Sequence, residues 1–277
     1  MMLHEPFLNE RNRLVKRYVP ASLGLLLLGF VLSFLWIYFA VILVVGAIGI
    51  VVFMIKLQQA AATFKDSLLD NVLQEFFEEY SHNKTSGLSL FDVMASELLD
   101  KPDRYFANDF IQGSHQGVGF AMSDVTMQRV TSNGKTTTVS TYFRGPVMIF
   151  DFHKETKGKL IVQQTRRAKL FTQYKSVALE SVNFNKRFRT YATDDKLAFF
   201  ILTPHFMERM QRLEDEIPGN FYFSFINGKM YVALHNNQDL FEVNMFGTIN
   251  EKIYDRFYHE VKIIVDLIEE LRLNPNL

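Results

Sequence analysis

Two pairs of polar residues have the types and the spacing that could support chemistry. Asp194 and Asp195 are adjacent, and their carboxylate oxygens could bind a divalent cation. His205 and Glu208 are three residues apart, which places them on one face of a helix as metal ligands or as an acid–base pair. Either function needs further groups from elsewhere in the fold. We favour a structural interpretation for both pairs, with the Asp residues forming a turn by hydrogen-bonding to their own backbone.

A third candidate is the glycine-containing stretch around Gly113, Gly117 and Gly119, which precedes a predicted strand. Phosphate-binding loops run from a strand into the N-terminus of a helix, so the order here argues against a nucleotide site. We keep Asp109 and Gly113 as candidate binding residues. The sequence contains no nucleophile-elbow, zinc-protease or kinase motif, so we assign no catalytic residue, no metal ligand and no cofactor.

The composition narrows the class of protein. The chain has 277 residues and no cysteine, which excludes disulfides and thiolate metal sites. It has 30 Lys+Arg and 30 Asp+Glu. Residues 1–55 contain four of the basic and two of the acidic residues, so residues 56–277 contain 26 and 28 and have a net charge of −2. This balance argues against a nucleic-acid binder. One local basic cluster could contact lipid headgroups or an acidic partner, although a solvated sheet face is the simpler interpretation: Lys154, Lys157, Lys159, Arg166, Arg167 and Lys169.

The N-terminal part of the chain contains a long apolar run, residues 18–55, without a charged residue. A single helix of this length would reach about 57 Å, nearly twice the ~30 Å hydrocarbon core of a bilayer. Two helices of about 17 residues with a tight turn fit better, and Trp36 and Tyr38 would then lie at the far membrane interface. One span remains the alternative. We favour a two-helix transmembrane hairpin.

Basic residues flank both ends of this run. Four lie before it, and Lys56 and Lys65 follow it, which suits a multi-pass protein with both ends in the cytoplasm. The expected organisation is a basic cytoplasmic segment at 1–17, the hairpin at 18–55 and a soluble domain at 56–277. The soluble domain could divide into subdomains at 56–175 and 176–277.

The soluble part predicts an α+β fold with a mainly antiparallel sheet, flanking helices and a long C-terminal helix. Asn133-Gly134 and Asn227-Gly228 each lie between strand-like runs and predict hairpins with type I′ turns. Thr203-Pro204 predicts a helix start, and Ser89 another. The aromatic content of 14% predicts a core between sheet and helices, or alternatively an apolar groove. We predict helices at 57–80, 89–99, 203–217 and 249–273, and strands at 118–130, 136–152, 159–164, 181–191, 196–202 and around 221–234. The stretch 104–117 is predicted to be a loop that could contain one short strand.

Two stretches closely resemble a known family. These are FNKRFRTYATDDKLAFFILTPHFMERMQRLEDEI at 184–217 and FYFSFINGKMYVALHNNQDLFE at 221–242, and both are similar to the bacterial domain-of-unknown-function family 3137. The family phrases also resemble Asn108-Asp109-Phe110-Ile111-Gln112-Gly113 and Phe143-Arg144-Gly145. The resemblance covers about residues 20–245. It implies a protein of the bacterial inner membrane, with a LemA-type membrane protein as a candidate partner, and it implies no catalytic residue.

Three hypotheses for the function follow. The first is a membrane-anchored, non-catalytic binding or regulatory module at the cytoplasmic face, with the lipid bilayer and another protein or lipid as its partners. The second is a membrane-bound hydrolase that uses Asp194, Asp195, His205 or Glu208. The third is a structural subunit of a membrane complex, which could form a homo-oligomer through the spans or the last helix. We favour the first, because no catalytic constellation is evident.

Overall fold

The computed structural model describes residues 4–31, 36–152, 157–165, 173–243, 251–271 and 273. The chain forms two compact units, one made of Met1–Val72 and Phe241–Tyr258, the other of Leu73–Leu240 and His259–Leu277. Most of the basic cluster at 154–169 lies outside the described residues.

The first unit contains most of two long helices, α1 (His4–Val31) and α2 (Trp36–Phe76), which pack side by side. The ring centroids of Phe7 and Phe64 are 4.9 Å apart. Further along α1, Ser22 approaches Gly49 so closely that a Cβ at Gly49 would lie 3.2 Å from the Ser22 Oγ. Later residues of α1 therefore contact earlier residues of α2, which means that the two helices are antiparallel.

The apolar run of the sequence lies in these helices. Among the described residues, one segment, Ala40–Phe76, is long and apolar enough to cross a membrane. Only 17% of its most apolar window is buried within the protein, unlike the core helix of a soluble domain. A second crossing by α1 does not meet the same criterion. The side chains of Trp36 and Tyr38 lie outside the described residues.

The second unit contains an antiparallel sheet of nine strands over the described residues, in the order β1-β2-β3-β4-β9-β8-β5-β7-β6. The α+β class and the antiparallel sheet are confirmed. The strands are β1 (Glu79–Asn83), β2 (Arg104–His115), β3 (Val118–Ser132), β4 (Thr137–Asp151), β5 (Lys159–Gln164), β6 (Lys175–Val177), β7 (Phe188–Ala192), β8 (Asn220–Ile226) and β9 (Lys229–His235). The remaining helices are α3 (Leu90–Ala95), α4 (Val182–Arg187), α5 (Asp195–Ile201), α6 (Pro204–Glu216) and α7 (Glu251–Glu270).

Both predicted hairpins form, but their turns differ. Asn227 and Gly228 have φ of 51° and 70°, as a type I′ turn between β8 and β9 requires. At the β3–β4 turn only Gly134 has a positive φ. There the Asn133 side chain accepts hydrogen bonds from the backbone N–H of Lys135 and Thr136, so the predicted type I′ turn was wrong at this position.

The central strands are buried on both faces. One face contacts α3 and includes Val125, Phe143 and Ile149. On the other face Phe221, Phe223 and Phe225 of β8 are fully buried, and the rings of Phe221 and Phe223 stack 5.4 Å apart. Many aromatic residues therefore form the core, as predicted.

Several predicted elements were wrong. The segment 104–117 is mostly the 12-residue strand β2 rather than a loop with one short strand, and 181–191 divides into α4 and β7. The apolar run 196–202 lies largely in helix α5, because the Asp194 side chain caps it by accepting from the Lys196 N–H at 3.1 Å. The helix predicted at 57–80 ends at Phe76 and is followed by β1. The starts at Ser89 and Thr203 are confirmed, since each side chain caps its helix.

Candidate functional site

The site begins at a bulge in strand β2. The pairing of β2 with β3 shifts between Asn108 and Ile111, and Asp109 has a φ of 52°, a left-handed conformation that Asp tolerates better than most residues. Its side chain is 1% exposed, and its Oδ2 accepts a hydrogen bond of 2.8 Å from the Asn108 amide. The His82 Nε2 of the neighbouring strand β1 lies 3.6 Å from the Asp109 Oδ1. The bulge therefore directs a carboxylate into the protein.

A second buried carboxyl, Asp124, lies in the adjacent strand and pairs with Asn108. It is 2% exposed, and its Oδ1 has no hydrogen-bond partner among the described residues. Burial raises the pKa of Asp124 to about 7; the charges of Asp239 and Asp109 and a hydrogen bond with Asp239 act in the same direction, while Arg144 opposes them. Asp124 therefore retains a proton up to near-neutral pH.

Arg144 of β4 and Asp239 of the segment after β9 form the exposed side of this group. The Arg144 Nε donates to the Asp239 Oδ1 at 2.6 Å, and a guanidinium N–H donates to the Oδ2. The Arg144 backbone N–H donates to the His235 Nδ1 at 3.1 Å, which places the ring proton of a neutral His235 on Nε2. This bidentate pair holds the segment after β9 against β4.

Gly145 is required next to Arg144. It has a φ of 142°, and a Cβ there would lie 2.2 Å from the Leu234 carbonyl oxygen. The close approach of β4 and β9 therefore depends on a glycine at this position. We call the group of Asp109, Asp124, Arg144 and Asp239 the carboxylate cluster.

The carboxylate cluster is placed to position the chain rather than to react. Asp109 and Asp124 are almost completely buried, so a substrate cannot contact them without opening the sheet. Asp239 is neutralised by Arg144. The cluster stabilises the bulge in β2. Residues next to the bulge form hydrogen bonds with a surface loop.

That loop connects β1 to α3. The backbone N–H of Phe110, directly after the bulge, donates to the Ser86 carbonyl at 3.1 Å. The Leu88 N–H donates to the buried Ser123 hydroxyl at 2.8 Å, and the Tyr105 hydroxyl donates to the Leu88 carbonyl at 2.6 Å. These bonds fix one wall of a cleft.

The cleft has a volume of about 810 Å³, within the range of ligand sites. Its lining comes from β1 to β4, the start of β9 and the loop that enters α3. Three small residues, Gly113, Gly119 and Ala121, are part of this lining. The charged residues of the lining are Glu79, Asp92, Asp151 and Lys229.

Two of the residues selected from the sequence lie in these places. Asp109 is in the carboxylate cluster and Gly113 lines the cleft. A Cβ at Gly113 would lie 2.6 Å from the Glu79 carbonyl oxygen, so glycine lets β1 approach β2 closely. Neither residue was selected for the contacts that the structure gives it.

The other four lie on the surface of α5 and α6. Asp194 caps α5, as the turn interpretation expected, and Asp195 is exposed in its first turn. His205 and Glu208 are exposed on α6. Glu208 lines a separate cavity of about 530 Å³ whose lining contains none of the other three. Among the described residues, no group of three or more His, Asp or Glu side chains is arranged to hold a metal ion.

Asp124 and Asp239 were missed as site residues, and Arg144 appeared only within a family phrase. The stretches that resemble the family nevertheless contain three of the four residues of the cluster. The three phrases 108–113, 143–145 and 221–242, far apart in the sequence, contribute Asp109, Arg144 and Asp239 to one cluster. The strands that carry the first two, together with β9, are near neighbours in the sheet.

The comparisons agree with the resemblance. Residues 141–273 match the model of the family described as protein of unknown function (DUF3137). This part of the chain, just under half of its length, is similar to that family. No curated protein matches the sequence.

A solved structure is also similar, the crystal structure of the mycobacterial trehalose monomycolate transport factor A, TtfA. It is 12% identical, with a TM-score of 0.41, and the match covers 75% of this chain and 93% of the other. A likeness of this degree says nothing about the function of the present chain.

Proposed function

We propose that this protein is a membrane-anchored, non-catalytic binding module whose ligand is a basic segment of another protein. The observation that carries this proposal is the charge of the cleft lining, which includes three carboxylates and one ammonium group. A basic peptide would complement that charge.

The membrane location is part of the proposal. We infer that α1 and α2 form a two-span hairpin in a bacterial inner membrane, with the second unit in the cytoplasm. The antiparallel packing of the helices supports this arrangement. The Tyr18 ring lies 5.8 Å from the Arg17 guanidinium carbon and 5.6 Å from the Lys56 ammonium, so the two charged ends of the apolar run are at one level. Positive charge at both ends favours the cytoplasm.

This location limits the choice of partner. A basic segment of a second membrane protein, such as a LemA-type protein, would meet the cleft at high local concentration. The structural-subunit and homo-oligomer hypotheses stay open as alternatives. No described contact favours the hydrolase.

Photo-crosslinking in native membranes tests the binding site. A photoreactive residue replaces Gln112, which is exposed and lines the cleft, in the full-length chain. The expected result is a cross-link to a basic segment of one partner, reduced by the charge reversal Asp151→Lys. Glu216, which is exposed on α6, is the control position, both for a photoreactive residue and for a charge reversal, Glu216→Lys. Equal cross-linking from positions 112 and 216 would contradict the proposal.

Topology needs its own test. A reporter fused to the C-terminus should be active in the cytoplasm. A periplasmic signal would exclude the two-span hairpin while leaving the binding site untouched.

A further inference from the structure

We propose that a groove between α1 and α2, just outside the apolar run, binds the headgroup of an anionic phospholipid. The inference rests on the proposed membrane location and adds a lipid specificity to it. The groove has a volume of about 420 Å³, and both helices line it. Its polar lining residues are Glu10, Arg13, Lys56, Gln59, Thr63 and Ser67.

The groove begins at the level of the lipid headgroups. Lys56 is the first charged residue after the apolar run, and Arg17 is the last before it. Arg13 is four residues from Arg17, which is one helical turn or about 6 Å. The headgroup layer extends roughly 5–7 Å beyond the hydrocarbon on each side of a bilayer. Arg13 and Lys56 therefore lie within reach of a phosphate.

The charge of the groove suits an anion. Arg13 and Lys56 are basic, and the one acidic residue of the lining, Glu10, lies 3.4 Å from an Arg13 guanidinium nitrogen. The Arg13 and Glu10 side chains are 74% and 53% exposed, so water screens this ion pair and the guanidinium can turn to a phosphate. A guanidinium fork binds phosphate through two parallel hydrogen bonds. The Gln59 amide adds a neutral donor on the same face as Lys56.

The surface beside the groove favours a lipid over a free anion. Val52 and Ile55 are exposed and lie on the face of α2 that carries Lys56 and Gln59, toward the apolar run. An acyl chain attached to a headgroup in the groove would lie along these side chains. A soluble phosphate would gain nothing from them.

Lipid binding to the full-length protein in mild detergent tests the inference. Native mass spectrometry counts bound phosphatidylglycerol and phosphatidylcholine for wild type, for Arg13→Gln/Lys56→Gln and for the control Lys16→Gln/Lys65→Gln. The control removes the same charge from the same helices outside the groove. The expected result is a preference for phosphatidylglycerol that falls about 30-fold in the groove variant and far less in the control.

In the single variant Lys56→Gln, which keeps the Arg13–Glu10 pair, the preference for phosphatidylglycerol should fall about fivefold. This variant tests the groove even if the double variant misfolds. Equal binding of both lipids, or equal losses in groove and control variants, would overturn the inference. Displacement of phosphatidylglycerol by millimolar inorganic phosphate would also overturn it, because the site would then take soluble anions.

The failure of the membrane location itself has a different signature. Alkaline carbonate treatment of native membranes should leave the protein in the pellet. Release into the supernatant would refute the anchor, whereas a retained protein without lipid preference would refute only the groove.

Discussion

Replacing Asp124 by asparagine tests the protonation of the carboxylate cluster. The pKa of Asp124 is raised to about 7 from the ordinary value of 3.8, chiefly by burial and then by the charges of Asp239 and Asp109. The folded state therefore binds this proton more tightly than the unfolded state does. Its contribution to stability is complete below about pH 4 and is lost as the pH rises through about 7, a total of about 4 kcal/mol. Between about pH 5.5 and 7.5 the loss should be about 2 kcal/mol.

Asp124→Asn has nearly the same shape and no proton to lose. The free energy of unfolding of the wild type should therefore fall with pH relative to that of the variant. Urea unfolding of the full-length protein in detergent, read by pulse proteolysis of the unfolded sheet, measures this difference at each pH. Asp195→Asn, an exposed carboxyl outside the cluster, is the control for general charge effects. Parallel stability curves for wild type and Asp124→Asn would refute the reasoning.

Three further predictions concern stability and use the same unfolding assay. Gly145→Ala should lower the free energy of unfolding by about 1–3 kcal/mol because of the backbone conformation alone, and by more because its Cβ would collide with Leu234. Gly117→Ala is the control, since a Cβ there has no neighbour within 4 Å, and it should lower the free energy of unfolding less. Equal losses in the two variants would contradict the collision. Thr203→Ala should cost about 0.5–2 kcal/mol by removing the cap of α6, with Thr203→Ser nearly neutral; an equal loss in both would exclude the cap as the cause. Phe225→Ala should cost about 3–5 kcal/mol, and a loss below about 1 kcal/mol would show that the side chain is not in the core.

Turn and cap residues in the sequence correctly predicted the elements whose ends they determine. Asn227-Gly228 accepts the positive φ that its turn requires, and Thr203 caps a helix whose first residue is proline. The run 196–202 was misassigned as a strand, because a short apolar segment has no clear period. The cap at Asp194 decides in favour of the helix.

Strand β2 was missed because its pattern is interrupted. The bulge at Asp109 inserts one residue, so apolar side chains before and after it do not share one alternation. The carboxylate cluster could not be derived for a similar reason. Asp124 and Asp239 are brought together by pairing among β3, β4 and β9, and sequence spacing carries no information about which strands become neighbours.

The bulge also connects two of the candidate residues, Asp109 and Gly113, which are only four positions apart in the sequence. Asp109 is the insertion, and after it Gly113 lies opposite Phe120 of β3 and Tyr80 of β1. Without the insertion, Gln112 would take that position, and a side chain there would collide with the Glu79 carbonyl, 2.6 Å from the Cβ position. A buried carboxylate is unfavourable for stability unless it is well paired. The position of Asp109 in β2 is explained by the register that its bulge fixes. That register places Gly113 in the cleft, at the point where β1 approaches β2 closely.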